Sequence, residues 1–198
     1  MFTGIIRYTG EIALVKSISR GKRFTITADG GFLAGLEKGI SSVAIDGACH
    51  TIEQSDSNSF TVFSSFETLG KTTLGSARPG TRVNLENSLT IQGILDGHII
   101  QGHIDGTGRL LSREKKGEAY LFTFSAENPL IRFLVEKDSI AVDGISLTMF
   151  NVNETSFQVS IIPETVNRTA LSGKKPGEKV NIEINIFAKY AKRFLNIY

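Results

Sequence analysis

The chain has 198 residues, 40% hydrophobic and 21% charged, a composition that argues against disorder and can supply modest hydrophobic cores. Twenty-two Lys and Arg against 20 Asp and Glu leave a formal charge of +2, with no basic run beyond short stretches such as residues 113–116, so nucleic acid has little electrostatic hold. Cys49 alone cannot form an intrachain disulfide, no apolar run approaches the ~18 residues of a membrane span, and residues 1–4 lack the regions of a signal peptide; the expected location is the cytoplasm, away from membranes.

In chain order, residues 23–27 (RFTIT) and 60–63 (FTVF) alternate or cluster β-formers between turn residues, and residues 120–124 (YLFTF) and 157–161 (FQVSI) do the same later on. Short helices are expected at 32–38 and 128–136. Residues 44–51 read AIDGACHT and residues 141–148 read AVDGISLT, an offset of 97 that also relates Glu67, Thr68, Pro79, Gly80, Asn84 and Glu86 to Glu164, Thr165, Pro176, Gly177, Asn181 and Glu183. Gly4, Thr9 and Gly10 are echoed by Gly102, Thr107 and Gly108 at an offset of 98, which places one small indel inside the repeat. Two homologous halves of about 90 residues follow, each read as a small antiparallel barrel. The tail is different: between Ile186 and Tyr198, apolar Phe187, Tyr190 and Phe194 lie opposite Lys189, Lys192 and Arg193 on a helix. That stripe can pack on its own barrel or associate with copies of itself.

The N-terminal MFTGII, the DGACHT at 46–51, GHIIQGHIDG at 97–106, DGISLT at 143–148 and IPET at 162–165 together resemble riboflavin synthase of the α-subunit type over essentially the whole chain. The resemblance implies an all-β fold of two tandem homologous six-stranded Greek-key β-barrels plus a C-terminal amphipathic helix. The lumazine-binding barrels would span residues 1–97 and 98–185, with an oligomerisation helix at 186–198. It implies a homotrimer and a transferase that turns two molecules of 6,7-dimethyl-8-ribityllumazine into riboflavin and 5-amino-6-(ribitylamino)pyrimidinedione by moving a four-carbon unit. No cofactor or metal takes part in that family's reaction, and a functional association with lumazine synthase is expected. The repeat then has a chemical sense, because two identical substrates need two similar sites brought face to face.

Strand alternation puts Cys49 and Thr51 on one face and Ser146 and Thr148 on its equivalent, with His50 and Leu147 pointing the other way. The substrate-binding set implied by the resemblance covers both strands, His50 and Leu147 included. On the first barrel it adds Gly4, Ile5, Ile6, Ser42, Phe63, Ser64, Ser65, Phe66, Glu67 and Thr68. On the second it adds Gly102, His103, Ile104, Lys137, Ser160, Ile161, Ile162, Pro163, Glu164 and Thr165. Phe2 is placed near the site. An isolated cysteine is more often a small buried hydrophobe than a nucleophile, but the place of Cys49 in the motif favours a role. His103 and Thr148 are the expected proton carriers, with Ser146 and Cys49 polarising or adding to the ring.

Four positions depart from the family pattern: His50 stands for Leu, Phe66 for Pro, Gly70 for Arg, and Asn185 for the Asp that follows the VNIEI run. His50 on an inward face must be partnered or displaced. These departures keep a second reading in play, a non-catalytic lumazine or flavin carrier or antenna protein.

Overall fold

The computed structural model describes residues 1–195 and consists of two closed antiparallel barrels of six strands each. The first is built from β1 (Tyr8–Ile18), β2 (Gly21–Ala28), β3 (Ser42–Ile45), β4 (Ala48–Ser55), β5 (Ser59–Ser65) and β6 (Arg82–Asn87) in the cyclic order β1-β2-β5-β4-β3-β6. The second, β7 (Gly106–Lys116), β8 (Ala119–Ala126), β9 (Ser139–Val142), β10 (Ile145–Phe150), β11 (Ser156–Ile161) and β12 (Lys179–Ile184), closes in the same order. The all-β, twin-barrel reading of the repeat is thus the observed fold.

Each barrel is filled by the inward half of an alternating pattern. Phe24, Ile26, Ile52, Phe60 and Val62 pack inside the first, and Phe122, Phe124, Met149, Phe157 and Val159 inside the second. The duplication extends to irregularities, because β1 bulges between Ile12 and Leu14 and β7 between Leu110 and Ser112. A third bulge, between Ile52 and Gln54 of β4, is recorded in the first barrel and aims Glu53 at Arg23. The indel falls at Ile40: Gly39 and Lys137 both donate from their N–H to the strand below, to Ile52 O and Met149 O, and both hold φ near +70°.

The expected helices at 32–38 and 128–136 are each a single turn. α1 (Gly30–Leu33) starts early because the Asp29 carboxylate caps Gly31 N at 2.7 Å, and Ala34 is already extended. Leu130–Phe133 is a 3-10 turn that stops at extended Leu134. Unforeseen helices follow β5 and β11: α2 (Phe66–Lys71) and α3 (Pro163–Arg168), each leading into a 3-10 turn. Phe66, Glu67 and Thr68 of the expected binding set are therefore helical.

α4 (Ile186–Leu195) turns its cationic side, not its apolar stripe, to its own barrel. Lys189 pairs with Asp105 at 2.6 Å and the Lys192 ammonium lies 4.1 Å above the Phe133 ring, so the cationic side contacts the barrel. Phe187, Tyr190 and Phe194 point outward, 54–77% exposed. Residues 196–198 of the expected helix lie outside the described residues. No helix among the described residues is long and apolar enough to cross a membrane.

Candidate active site

The two barrels meet about a pseudo-twofold axis and exchange short segments. Near residue 2 the chain pairs with residue 100, Phe2 N donating to Ile100 O at 2.7 Å and Ile100 N to Phe2 O at 3.1 Å. Each strand then lies on the other half's barrel. Gly4 O accepts from Ser146 N at 3.0 Å on β10, and Gly102 O accepts from Cys49 N at 2.9 Å on β4. Both glycines hold positive φ, and a Cβ would come within 2.6 Å of Ser146 or 2.4 Å of Cys49, so a side chain is excluded twice over.

Two carboxylates, half-buried Glu86 and buried Glu183, pin these segments. Glu86 accepts from Thr3 N at 2.7 Å and Gly4 N at 3.0 Å, and Glu183 accepts from Gln101 N at 2.7 Å and Gly102 N at 3.0 Å. Burial raises both above the ordinary glutamate range, against the pull of those amide donors. Sequence reading saw Glu86 and Glu183 only as repeated letters. Their acceptor role depends on which loop reaches them, a long-range fact.

Beside this junction the first barrel carries a cleft of about 800 Å³ lined by Cys49, Thr51, Phe63, Ser65 and Thr68, with the Arg23–Glu53 ion pair and Lys38 on its far wall. Thr51 is exposed, Cys49 half-buried, and burial pushes the Cys49 thiol up from its ordinary value. Ser65 caps α2, its Oγ accepting from Thr68 N at 3.2 Å, which fixes the end of the cleft. The equivalent face of the second barrel presents half-buried Ser146 and Thr165, exposed Thr148, Ser160 and Ile162, and Lys137. Lys137 holds φ +70° and lies 5.2 Å from the Phe150 ring.

Not every expected residue offers its side chain there. His50, Ser64, Leu147 and Ile161 point into the barrel interiors, at most 8% exposed, so main-chain groups are what these positions can give a ligand. Ile6 is part of the second barrel's core, and Ile104 packs against the first's. Phe2 is fully buried in the junction with Ala44, Ile100 and Ala141. Ser42 pairs with Thr51 across β3 and β4 beside the cleft, whereas Ile5 is exposed and lines a separate cavity with Arg7, Tyr8 and Glu86. Phe66, Glu67, Pro163 and Glu164 are exposed on α2 and α3, Glu67 and Glu164 paired with Lys71 and Arg168 of their own helices.

His103 is exposed, and among the described residues no hydrogen bond joins it to Thr148; the pair expected to move protons is not assembled within one chain. Ser146 instead has His98 as its partner, Nδ1 to Oγ at 2.7 Å, a residue outside the expected site set. No group of three or more His, Cys, Asp or Glu converges as metal ligands among the described residues. Asn185 donates from Nδ2 to Asp138 Oδ1 at 2.8 Å, next to Lys137.

This geometry agrees with what the chain is similar to. The family profile described as the lumazine binding domain matches it twice, over residues 3–88 and 101–185. A riboflavin synthase of Actinobacillus pleuropneumoniae is 39% identical over 98% of this chain and 90% of its own, and one of Bacillus subtilis (strain 168) 38% over 99% and 90%. Among solved structures, LumP complexed with riboflavin superposes with a TM-score of 0.86 at 21% identity, covering 93% of this chain and 99% of that one, a likeness of fold. With both halves matched by that domain and the full-length relatives well above a third identical, the chain belongs to the riboflavin synthase family.

Proposed function

We propose that the protein is a riboflavin synthase that converts two 6,7-dimethyl-8-ribityllumazine molecules into riboflavin and 5-amino-6-(ribitylamino)pyrimidinedione. One observation carries this reading: the same polar strand face, Cys49 with Thr51 and Ser146 with Thr148, occurs on two like barrels and stays open to solvent on both. A reaction between identical molecules needs two like half-sites, and holding both rings in one geometry can contribute on the order of 7–11 kcal/mol at best.

The outward aromatics of α4 support assembly of three chains, in which the first barrel of one subunit faces the second barrel of its neighbour. Each complete site would then take one lumazine on Cys49 and Thr51 and the other on Ser146 and Thr148, with main-chain groups of residues 63–65 and 160–162 reading the pteridine edges. A base removes a proton from the 7-methyl group of one ring, and His103 with Thr148 is assigned that task across the subunit junction. Cys49 and Ser146 are assigned to polarise or add to the ring. Functional association with lumazine synthase, the source of the substrate, belongs to the same proposal.

The test is incubation of the purified protein with 6,7-dimethyl-8-ribityllumazine and no added cofactor, with riboflavin followed by absorbance and chromatography. One riboflavin should appear for every two lumazines consumed. Tight, fluorescent binding without turnover would make the protein a carrier instead.

A further inference from the structure

Ser146 holds on β10 the place that Cys49 holds on β4, yet the two are served differently. His98 Nδ1 lies 2.7 Å from Ser146 Oγ. Both partners hang from one segment, since Gly4 O accepts from Ser146 N at 3.0 Å and Thr3 O from His98 N at 3.1 Å, and Glu86 fixes that segment in turn. Gly97 admits the approach: a Cβ there would stand 2.0 Å from Thr3 O and 3.1 Å from Ser146 Oγ. The imidazole is half-buried, and burial pushes it below its ordinary range, opposed by the charge of Asp138. It is therefore a neutral ring with a lone pair to offer near pH 7. Asp138 is itself held by Ser139 N and Asn185 Nδ2. On the first barrel, Cys49 has a half-buried thiol beside Ser42 and no imidazole among its described hydrogen-bond partners. The half-sites are thus unequal, as a reaction with a distinct donor and acceptor requires.

Resting on the synthase reading, we infer that His98 is a general base that aims the Ser146 hydroxyl at the pteridine bound on the second barrel and takes up its proton as Oγ adds to the ring carbon C7. In that step the C–O bond forms, the O–H bond breaks, the proton passes to Nδ1, and the ring π pair moves onto a ring nitrogen. Expulsion of Oγ reverses each change, so nothing is oxidised or reduced.

The experiment compares the full-length wild type with His98→Gln, His98→Asn, Ser146→Ala and the His98→Gln/Ser146→Ala double variant, reading riboflavin formation against pH and riboflavin affinity by fluorescence. His98→Gln should lower kcat by about 10²-fold, the scale of a lost proton acceptor, and abolish the acidic limb of the rate profile. The double variant should be no slower than the slower single, because the two side chains act as one unit. His98→Asn keeps a hydrogen-bonding group where Nδ1 stood but cannot take a proton, so it should keep riboflavin affinity and still lose the acidic limb. A kcat within about threefold of wild type in His98→Gln, a retained acidic limb, or losses that multiply would overturn the assignment. If wild type forms no riboflavin, the synthase reading fails separately. The pair is then read by nitrogen NMR of the imidazole, and a His98 titration unmoved by Ser146→Ala would overturn it.

Discussion

His50 and Ser64 face each other inside the first barrel where the second has Leu147 and Ile161, all four buried. Ala48 O can only accept, so His50 Nδ1 carries the proton at 2.8 Å, leaving Nε2 to accept from the Ser64 hydroxyl at 2.7 Å. His50→Leu alone should cost about 1–3 kcal/mol, since it strands a buried hydroxyl, whereas His50→Leu with Ser64→Ile recreates the second barrel's apolar pair and should be nearly neutral. Urea unfolding of the two variants checks this, and equal losses would refute the pairing. Burial also depresses the His50 pKa, so the unfolded chain binds its proton first on acidification. Stability from this group is full above about pH 6.5, the unfolded value, and is lost as pH falls below it. The double variant should therefore lose less stability than wild type on going from neutral to mildly acid pH. That His50 needed a partner was legible from strand alternation. The partner is set by the β4–β5 register, which places Ile52 opposite Val62 and carries His50 to Ser64; in the sequence only the apolar pair of the second half marks a joint exchange. His98 was not legible in this way, since its bond to Ser146 depends on the pairing of residues 2 and 100, which no local pattern encodes.

The strands and the ten-residue α4 were legible, and the two six-residue helices were not. Strand periodicity declared itself in runs such as 120–124, while α2 and α3, six residues each, are too short to show a 3.6-residue period and are held by what they connect. α4 is long enough to show its stripe, and the structure adds which side faces away. Lys189 and Lys192 occupy the barrel side through Asp105 and Phe133 and leave Phe187, Tyr190 and Phe194 exposed, the face that the proposed assembly would bury. Phe187→Glu with Phe194→Glu should convert a three-chain particle to a single chain in light scattering, while the barrel signal in circular dichroism persists. Riboflavin formation should fall with the mass, because the proposed complete site takes one half-site from each of two chains. An unchanged mass would locate the interface elsewhere.

At the scale of the whole molecule, the axis between the barrels is built from two copies of one polar motif, and the copies have diverged. Asn84 N donates to Asp46 Oδ1 and Asn181 N to Asp143 Oδ1, both at 2.7 Å. The asparagine amides cross over, Asn84 Nδ2 to Asp143 O and Asn181 Nδ2 to Asp46 O, both at 2.9 Å. Only one side has a counter-charge, because Lys174 binds Asp143 at 2.5 Å while the repeat places Ala77 where a second lysine would stand. Burial and the nearby Asp143 charge push Asp46 up to about 8, with Lys174 opposing. Asp46 is then protonated in the fold at pH 7 but ionised when unfolded. Its raised value gives stability that is fully present below about pH 3.9 and is lost as pH rises through 8. Asp46→Asn keeps the acceptor oxygen without the titration, so its stability relative to wild type should grow from pH 4 to pH 8 and then level off. Asp143→Asn removes the partner of a largely buried ammonium, and Asp46, with a smaller contribution from Glu178, remains to face that charge. The single change should therefore cost less than the on the order of 3 kcal/mol typical of a broken buried pair, and the double variant should lose more than the two singles together. Thermal unfolding of the four proteins at several pH values distinguishes this from independent sites, for which the losses would add.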